Sequence, residues 1–132
     1  MQSRWEHFSK DELSCTGACP KCSGSDSNMN AEFMDKVGKL RKLCGFPFPI
    51  SSAYRCPDRN QEVSKTGLNG PHTTGKAIDI KISGPEAYVL VMLAIQLNFT
   101  GVGINQKGPH NKRFIHLDWN LEGKARPRIW SY

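Results

Sequence analysis

A chain of 132 residues with 38% hydrophobic content suffices for one compact domain, spanning 1–132, with its own core. Its longest apolar run, Ala87 to Ile95, falls well short of the ~20 residues that cross a bilayer, so neither a transmembrane helix nor a stable membrane anchor is expected. The formal charge of +6 favours anionic partners, but the basic residues are scattered rather than gathered into a block, so a nucleic-acid surface is not expected.

In chain order, Met1-Gln-Ser-Arg-Trp-Glu-His7 has no apolar signal region, and Ser9-Lys-Asp-Glu12 has the form of a capping box opening a short helical turn. From Thr16 to Asn28 the Gly, Ser, Pro and Asn content reads as an irregular loop. The five cysteines, Cys15, Cys19, Cys22, Cys44 and Cys56, are odd in number and read as reduced thiols. Cys15, Cys19 and Cys22 are closely spaced and, with His7 or Cys44, could form a small structural zinc site; loop thiols, or a bridge formed after release, are the alternatives.

Asn30 caps a helix on which Phe33, Met34, Val37, Leu40, Leu43 and Cys44 recur at helical steps, and Gly45 stops it. The charged residues between them form a solvated face. Proline-punctuated Phe46 to Arg55 predicts a strand ending at Arg55, and Pro57 opens a short helix over Asp58 to Lys65. The loop Gly67 to Gly70 leads to His72. Alternation in Ala77 to Ile82 predicts a strand with Ile78, Ile80 and Ile82 on one face and Asp79 on the other.

Ser83-Gly-Pro-Glu86 reads as a second capping box, followed by a largely buried helix to Leu97 in which Tyr88 and Met92 fill the core. Thr100 to Ile104 and Arg113 to Trp119 are strands, with a turn-rich loop between them. The tail beyond Asn120 is basic and aromatic.

The chemistry gathers on these last strands. A carboxylate at Asp79, opposite an isoleucine face, is costly to bury without a cation or donors. Gly75 lets the loop fold back so that His72 approaches it. On the last strand the two-residue period puts Phe114, His116 and Asp118 on one face. Two imidazoles and a carboxylate suit a zinc with one position left open, the arrangement of catalytic rather than structural sites.

Three motifs carry a resemblance: Ser51-Ser-Ala-Tyr-Arg-Cys-Pro57, His72-x2-Gly75-x-Ala77-x-Asp79 and Phe114-Ile-His-Leu-Asp118. With Phe8 to Cys15 and the closing Trp130-Ser-Tyr132, they make the chain similar to the zinc D,D-peptidases of the D-Ala-D-Ala carboxypeptidase family. The chain resembles in particular the short single-domain members common among bacteriophage lysis enzymes and bacterial murein endopeptidases. The resemblance implies an α+β fold of hedgehog/DD-peptidase type, a small antiparallel sheet with flanking helices and a zinc cleft. It also implies one Zn2+ per chain on His72, Asp79 and His116, and an Arg55 that engages a substrate carbonyl or carboxylate, work suited to a guanidinium fork.

Asp118 is the leading general base, with His110 the upstream alternative; Asp118 could instead orient a ligand histidine. Arg113 stands where many relatives place their catalytic carboxylate or histidine, and Pro71 where they often carry Ser or Gln. The expected activity is hydrolysis of an amide bond in peptidoglycan stem peptides or cross-links, by a monomer held in a host cytoplasm until it reaches the cell wall. Because hedgehog-type relatives keep the metal site without peptidase activity, the alternative is a non-catalytic zinc-stabilised module that binds peptidoglycan or a protein partner.

Overall fold

The computed structural model describes residues 2–15 and 24–132, and of Leu68 the backbone alone. Cys19 and Cys22, and with them the suggested second metal site, lie outside the described residues. The capping box forms as expected: Ser9 Oγ accepts from Glu12 N–H, and Glu12 accepts from Ser9 N–H, opening α1 (Lys10–Leu13). Asn30 caps α2 (Ala31–Cys44), and Gly45 closes it in the left-handed conformation at φ 76°. Phe33, Met34, Val37 and Leu40 of α2 are fully buried; Leu43, expected on that face, is exposed, while Cys44 beside it packs against the core.

The predicted strand over 46–55 contracts to β1 (Ile50–Ser52), since Pro47 and Pro49 cannot donate to a ladder. Pro57 is the first residue of α3 (Pro57–Val63), and Cys56 Sγ accepts from Arg59 N–H. β2 (Ala77–Lys81) leads into α4 (Gly84–Gln96), followed by β3 (Gly101–Asn105), β4 (Phe114–Asp118) and β5 (Arg128–Ser131).

Two expectations for α4 are corrected. Ser83 stands at its N-cap but makes no side-chain cap bond; its hydroxyl lies 3.3 Å from His110 Nδ1 instead. The helix is not largely buried: Ala87, Leu90 and Ala94 face the core, while Tyr88 is 74% and Met92 43% exposed. A nearly all-apolar helix gives no periodic signal to tell its inner face from its outer one.

The sheet has five strands in the order β1-β2-β4-β3-β5. Antiparallel pairing joins the first four, but β5 lies parallel to β3, so the expected antiparallel sheet is in fact mixed. One face carries Ile78, Ile80, Val102, Ile115 and Leu117 into a core shared with α2 and α4, where Phe33 meets Phe99 edge-to-face at 5.9 Å. Each such aliphatic side chain contributes about 1.5–3 kcal/mol by leaving water. The other face is polar, and its register lines up one row: Ser52, Asp79, His116, Gly103 and Trp130 are successive partners from β1 to β5.

Candidate metal centre

Because Asp79 and His116 are direct cross-strand partners, the antiparallel ladder sets their side chains beside one another. His72 reaches the same point from outside the sheet. It sits in a 3₁₀ turn over Pro71–Thr74, which ends at Gly75 in the left-handed conformation at φ 76°. A Cβ on Gly75 would stand 2.2 Å from the Asn28 carbonyl oxygen, so glycine is required there both by the backbone and by the close approach of the α2 entry. Gly75 C=O accepts from Asn30 N–H, and His72 C=O from Arg55 N–H, which fixes the turn at both ends.

The three side chains form one compact donor group. His116 Nδ1 lies 2.9 Å and His72 Nε2 3.2 Å from Asp79 Oδ1, and the candidate ligand atoms all fall within 4.8 Å of one another. All three residues are buried. Each imidazole has its second nitrogen engaged by the protein: His72 Nδ1 is 2.8 Å from Ala53 C=O, and His116 Nε2 is 2.8 Å from Asp118 Oδ2. That pattern fixes which nitrogen of each ring faces the common point, as carbonyl and carboxylate partners do for metal-bound histidines. The donors therefore fit a zinc: two imidazole nitrogens and one carboxylate oxygen, each with its orientation held.

The electrostatics agree with the geometry. Burial pushes the Asp79 carboxyl up, but the His72 charge and the hydrogen bonds from His116 and His72 outweigh it and hold the group well below the usual carboxylate range. Burial pushes His116 down, yet its bonds to Asp118 and Asp79 raise it to about 9. Asp118 is likewise lowered: burial opposes the shift, and the Arg126 and His116 hydrogen bonds drive it.

Asp118 is fully buried and both of its oxygens are occupied. Arg126 grips it with Nε to Oδ1 and Nη2 to Oδ2, each 2.8 Å, while Oδ2 also serves His116. Arg55 is half-buried; its guanidinium donates to Asn60 Oδ1 at 2.9 Å and to Ser52 Oγ at 3.0 Å. Burial lowers its pKa, and the nearby Asp79 carboxylate works the other way. The buried Asn60 then donates to Thr66 Oγ1 and Gly67 C=O, tying Arg55 to the loop that carries His72. His110 is exposed, in the short turn before β4, and stands outside the three-residue group.

A model of the peptidase M15 family matches residues 6–118. The chain belongs to the peptidase M15 family. No curated protein and no solved structure matches it. M15 peptidases are zinc-dependent, so the resemblance to zinc D,D-peptidases is borne out at family level.

Arg126, Gly101 and Gly103, three contributors to this M15 site, went unnoticed in the sequence. Arg126 follows Asp118 by eight residues across a turn, at no repeating interval. Gly101 and Gly103 leave open the space that neighbouring side chains fill: a Cβ on Gly101 would lie 2.0 Å from Asp118 Oδ1, and one on Gly103 2.7 Å from the Trp130 ring. Trp130 uses that space to bring its indole 5.1 Å from the His116 ring. The alternation in Gly101-Val-Gly103 was the available signal, since glycine inside a strand often marks close approach of another group.

Proposed function

We propose that this M15 protein is a zinc-dependent peptidase that hydrolyses an amide bond in peptidoglycan stem peptides or cross-links, serving lysis or wall remodelling. The observation that supports this best is the paired hold on each imidazole: one nitrogen turned to the Asp79 oxygen, the other bound to Ala53 C=O or Asp118. His72, Asp79 and His116 would hold the metal. When bound, zinc supplies Lewis acidity to the scissile carbonyl and to the attacking water.

Arg55 is assigned to the substrate carbonyl or carboxylate, its fork steadied by Ser52 and Asn60. For Asp118 two roles compete, proton transfer and orientation of His116. The Arg126 grip favours orientation, because it fixes Asp118 on His116 Nε2, the ring nitrogen turned away from Asp79 and the open side of the donor group. His110 is the other candidate for moving the proton. The positive net charge suits an anionic wall polymer as substrate.

The test is mass analysis of soluble products from Gram-negative-type peptidoglycan, with parallel samples treated with a chelator or carrying His116→Ala or His110→Ala. Metal-dependent release of defined muropeptides, lost in His116→Ala, is expected, and the product masses name the bond. A second reading draws on the occupied Asp118 oxygens: a zinc-stabilised module that binds the wall without cutting it. Stoichiometric zinc with no bond cleaved would select it.

A further inference from the structure

The C-terminal strand lies beyond the residues matched to the family, yet it lies against the metal centre. Tyr132 follows directly after β5. Its N–H donates to Ile104 C=O at 3.2 Å, which extends the parallel ladder by one residue. By the two-residue period its side chain falls on the same face as Trp130. The ring packs on Phe114 at 5.1 Å, and Phe114 is the residue next to His116 on that face of β4. Tyr132 is half-exposed, so its phenol borders the cleft rather than filling the core.

The hydrogen-bond inventory sets what this phenol can do. An indole N–H only donates, whereas a phenol both donates and accepts. Trp130, two residues back on the same face, can offer the Tyr132 hydroxyl only an indole N–H, which acts on the oxygen and leaves the O–H proton to be donated elsewhere. Among the described residues, none lies in hydrogen-bonding position to accept that proton. Asp79 Oδ1, the nearest anion of the metal group, already receives both imidazoles. Burial pushes the Tyr132 hydroxyl up, so it stays protonated at neutral pH, and the charges of Asp79, Arg55 and Asp118 all act on it. Arg55 in turn feels Tyr132, the guanidinium following β1 and the phenol following β5 at the opposite edge of the sheet.

We infer that the Tyr132 O–H, held by Trp130 and Phe114, donates a hydrogen bond to a ligand oxygen, a substrate carbonyl or the oxyanion it becomes, at the open side of the His72/Asp79/His116 centre, as the partner of Arg55. This rests on the metallopeptidase reading, since it needs a metal centre that receives a carbonyl oxygen. A donor aimed where negative charge develops contributes most in a water-poor cleft.

Tyr132→Phe removes the hydroxyl and keeps the ring on Phe114. The test uses the cobalt(II)-loaded full chain titrated with acetohydroxamate, a small anion that presents carbonyl-type oxygens to the metal, with the cobalt absorption spectrum as readout. Tyr132→Phe is expected to bind cobalt with unchanged stoichiometry and ligand-free spectrum, and to weaken acetohydroxamate about tenfold, the scale of one hydrogen bond to a charged oxygen. Binding within twofold of the parent overturns the assignment.

Digestion of peptidoglycan by the same two proteins separates the two claims. If the parent binds acetohydroxamate but cuts nothing, the peptidase reading falls and the Tyr132 assignment stands on the binding ratio. If the parent cuts and Tyr132→Phe matches it in both assays, the assignment falls alone. A parent that takes up neither cobalt nor acetohydroxamate overturns both.

Discussion

Asp118 is the residue on which two chemical roles diverge most sharply. A carboxylate that moves a proton must reach the attacking water; a carboxylate that orients an imidazole must be held on the ring nitrogen turned away from the metal. Here Arg126 binds both oxygens in the bidentate geometry that matches guanidinium to carboxylate, and the Arg126 side chain is itself largely covered, beneath Trp130. Asp118→Asn keeps the shape but can no longer accept from both Arg126 and His116 in the same way. On the orienting role, zinc affinity falls about 10- to 100-fold, and activity returns when zinc is supplied in excess. On the base role, zinc stays bound and activity is lost at every zinc concentration. Equilibrium zinc binding in competition with a chromogenic chelator, measured beside the digestion assay, separates the two. Arg126→Lys is expected to resemble Asp118→Asn in metal affinity, because a lysine supplies one point charge and not a fork.

At the scale of elements, the site depends on β3 having no side chains where its neighbours lean across it. Asp118 leans over Gly101 and Trp130 over Gly103, so two residues of flanking strands reach His116 through space that a Cβ would take. Gly101→Ala is expected to displace a carboxylate held by Arg126, and therefore to lower zinc affinity by about the 10- to 100-fold of a lost orienting partner. Gly75→Ala acts differently: it meets a backbone oxygen and a left-handed φ, so it is expected to cost at least ~1–2 kcal/mol of stability. Thermal unfolding of the metal-free forms, set beside their zinc affinities, tells whether each glycine serves the centre or the chain path.

These elements were unequally legible. Ile78, Ile80 and Ile82 against Asp79, and His116 with Asp118, obey the two-residue period and were readable. Asn30 and Gly45 carry the chemistry of helix ends and were readable too. β5 was not: it is an edge strand whose parallel partner β3 lies far away in sequence, and Ile129 on it is exposed, so it has no hydrophobic alternation to announce it. The unformed cap at Ser83 shows the limit of a local motif, since its hydroxyl lies against His110, 27 residues away.

For the whole molecule, folding, protonation and metal binding are one linked equilibrium. In the metal-free protein two buried carboxylates, Asp79 and Asp118, are balanced by Arg126, by the His72 charge and by a proton on His116, whose pKa is raised from 6.5 to about 9. A histidine raised on folding stabilises the folded state fully below its unfolded value, and that contribution is lost as pH rises through the folded one. Melting temperature of the metal-free protein is therefore expected to fall between pH ~6.5 and about 9 on account of His116. Asp79 and Asp118, both lowered, act in the other direction: their contribution is present above the ordinary carboxylate value and is lost as the solution becomes acid enough to protonate them.

Zinc bound at His116 Nδ1 would displace that proton, with Nε2 staying on Asp118. Its affinity is thus expected to rise about tenfold per pH unit up to about 9 and then level off, with one proton released per metal from this residue. The zinc-loaded protein, in which the metal replaces that proton, should hold its melting temperature over the range where the metal-free form loses it. Calorimetric zinc titrations in buffers of different ionisation enthalpy count the protons directly. An affinity that does not change with pH would mean that His116 is already neutral in the metal-free state.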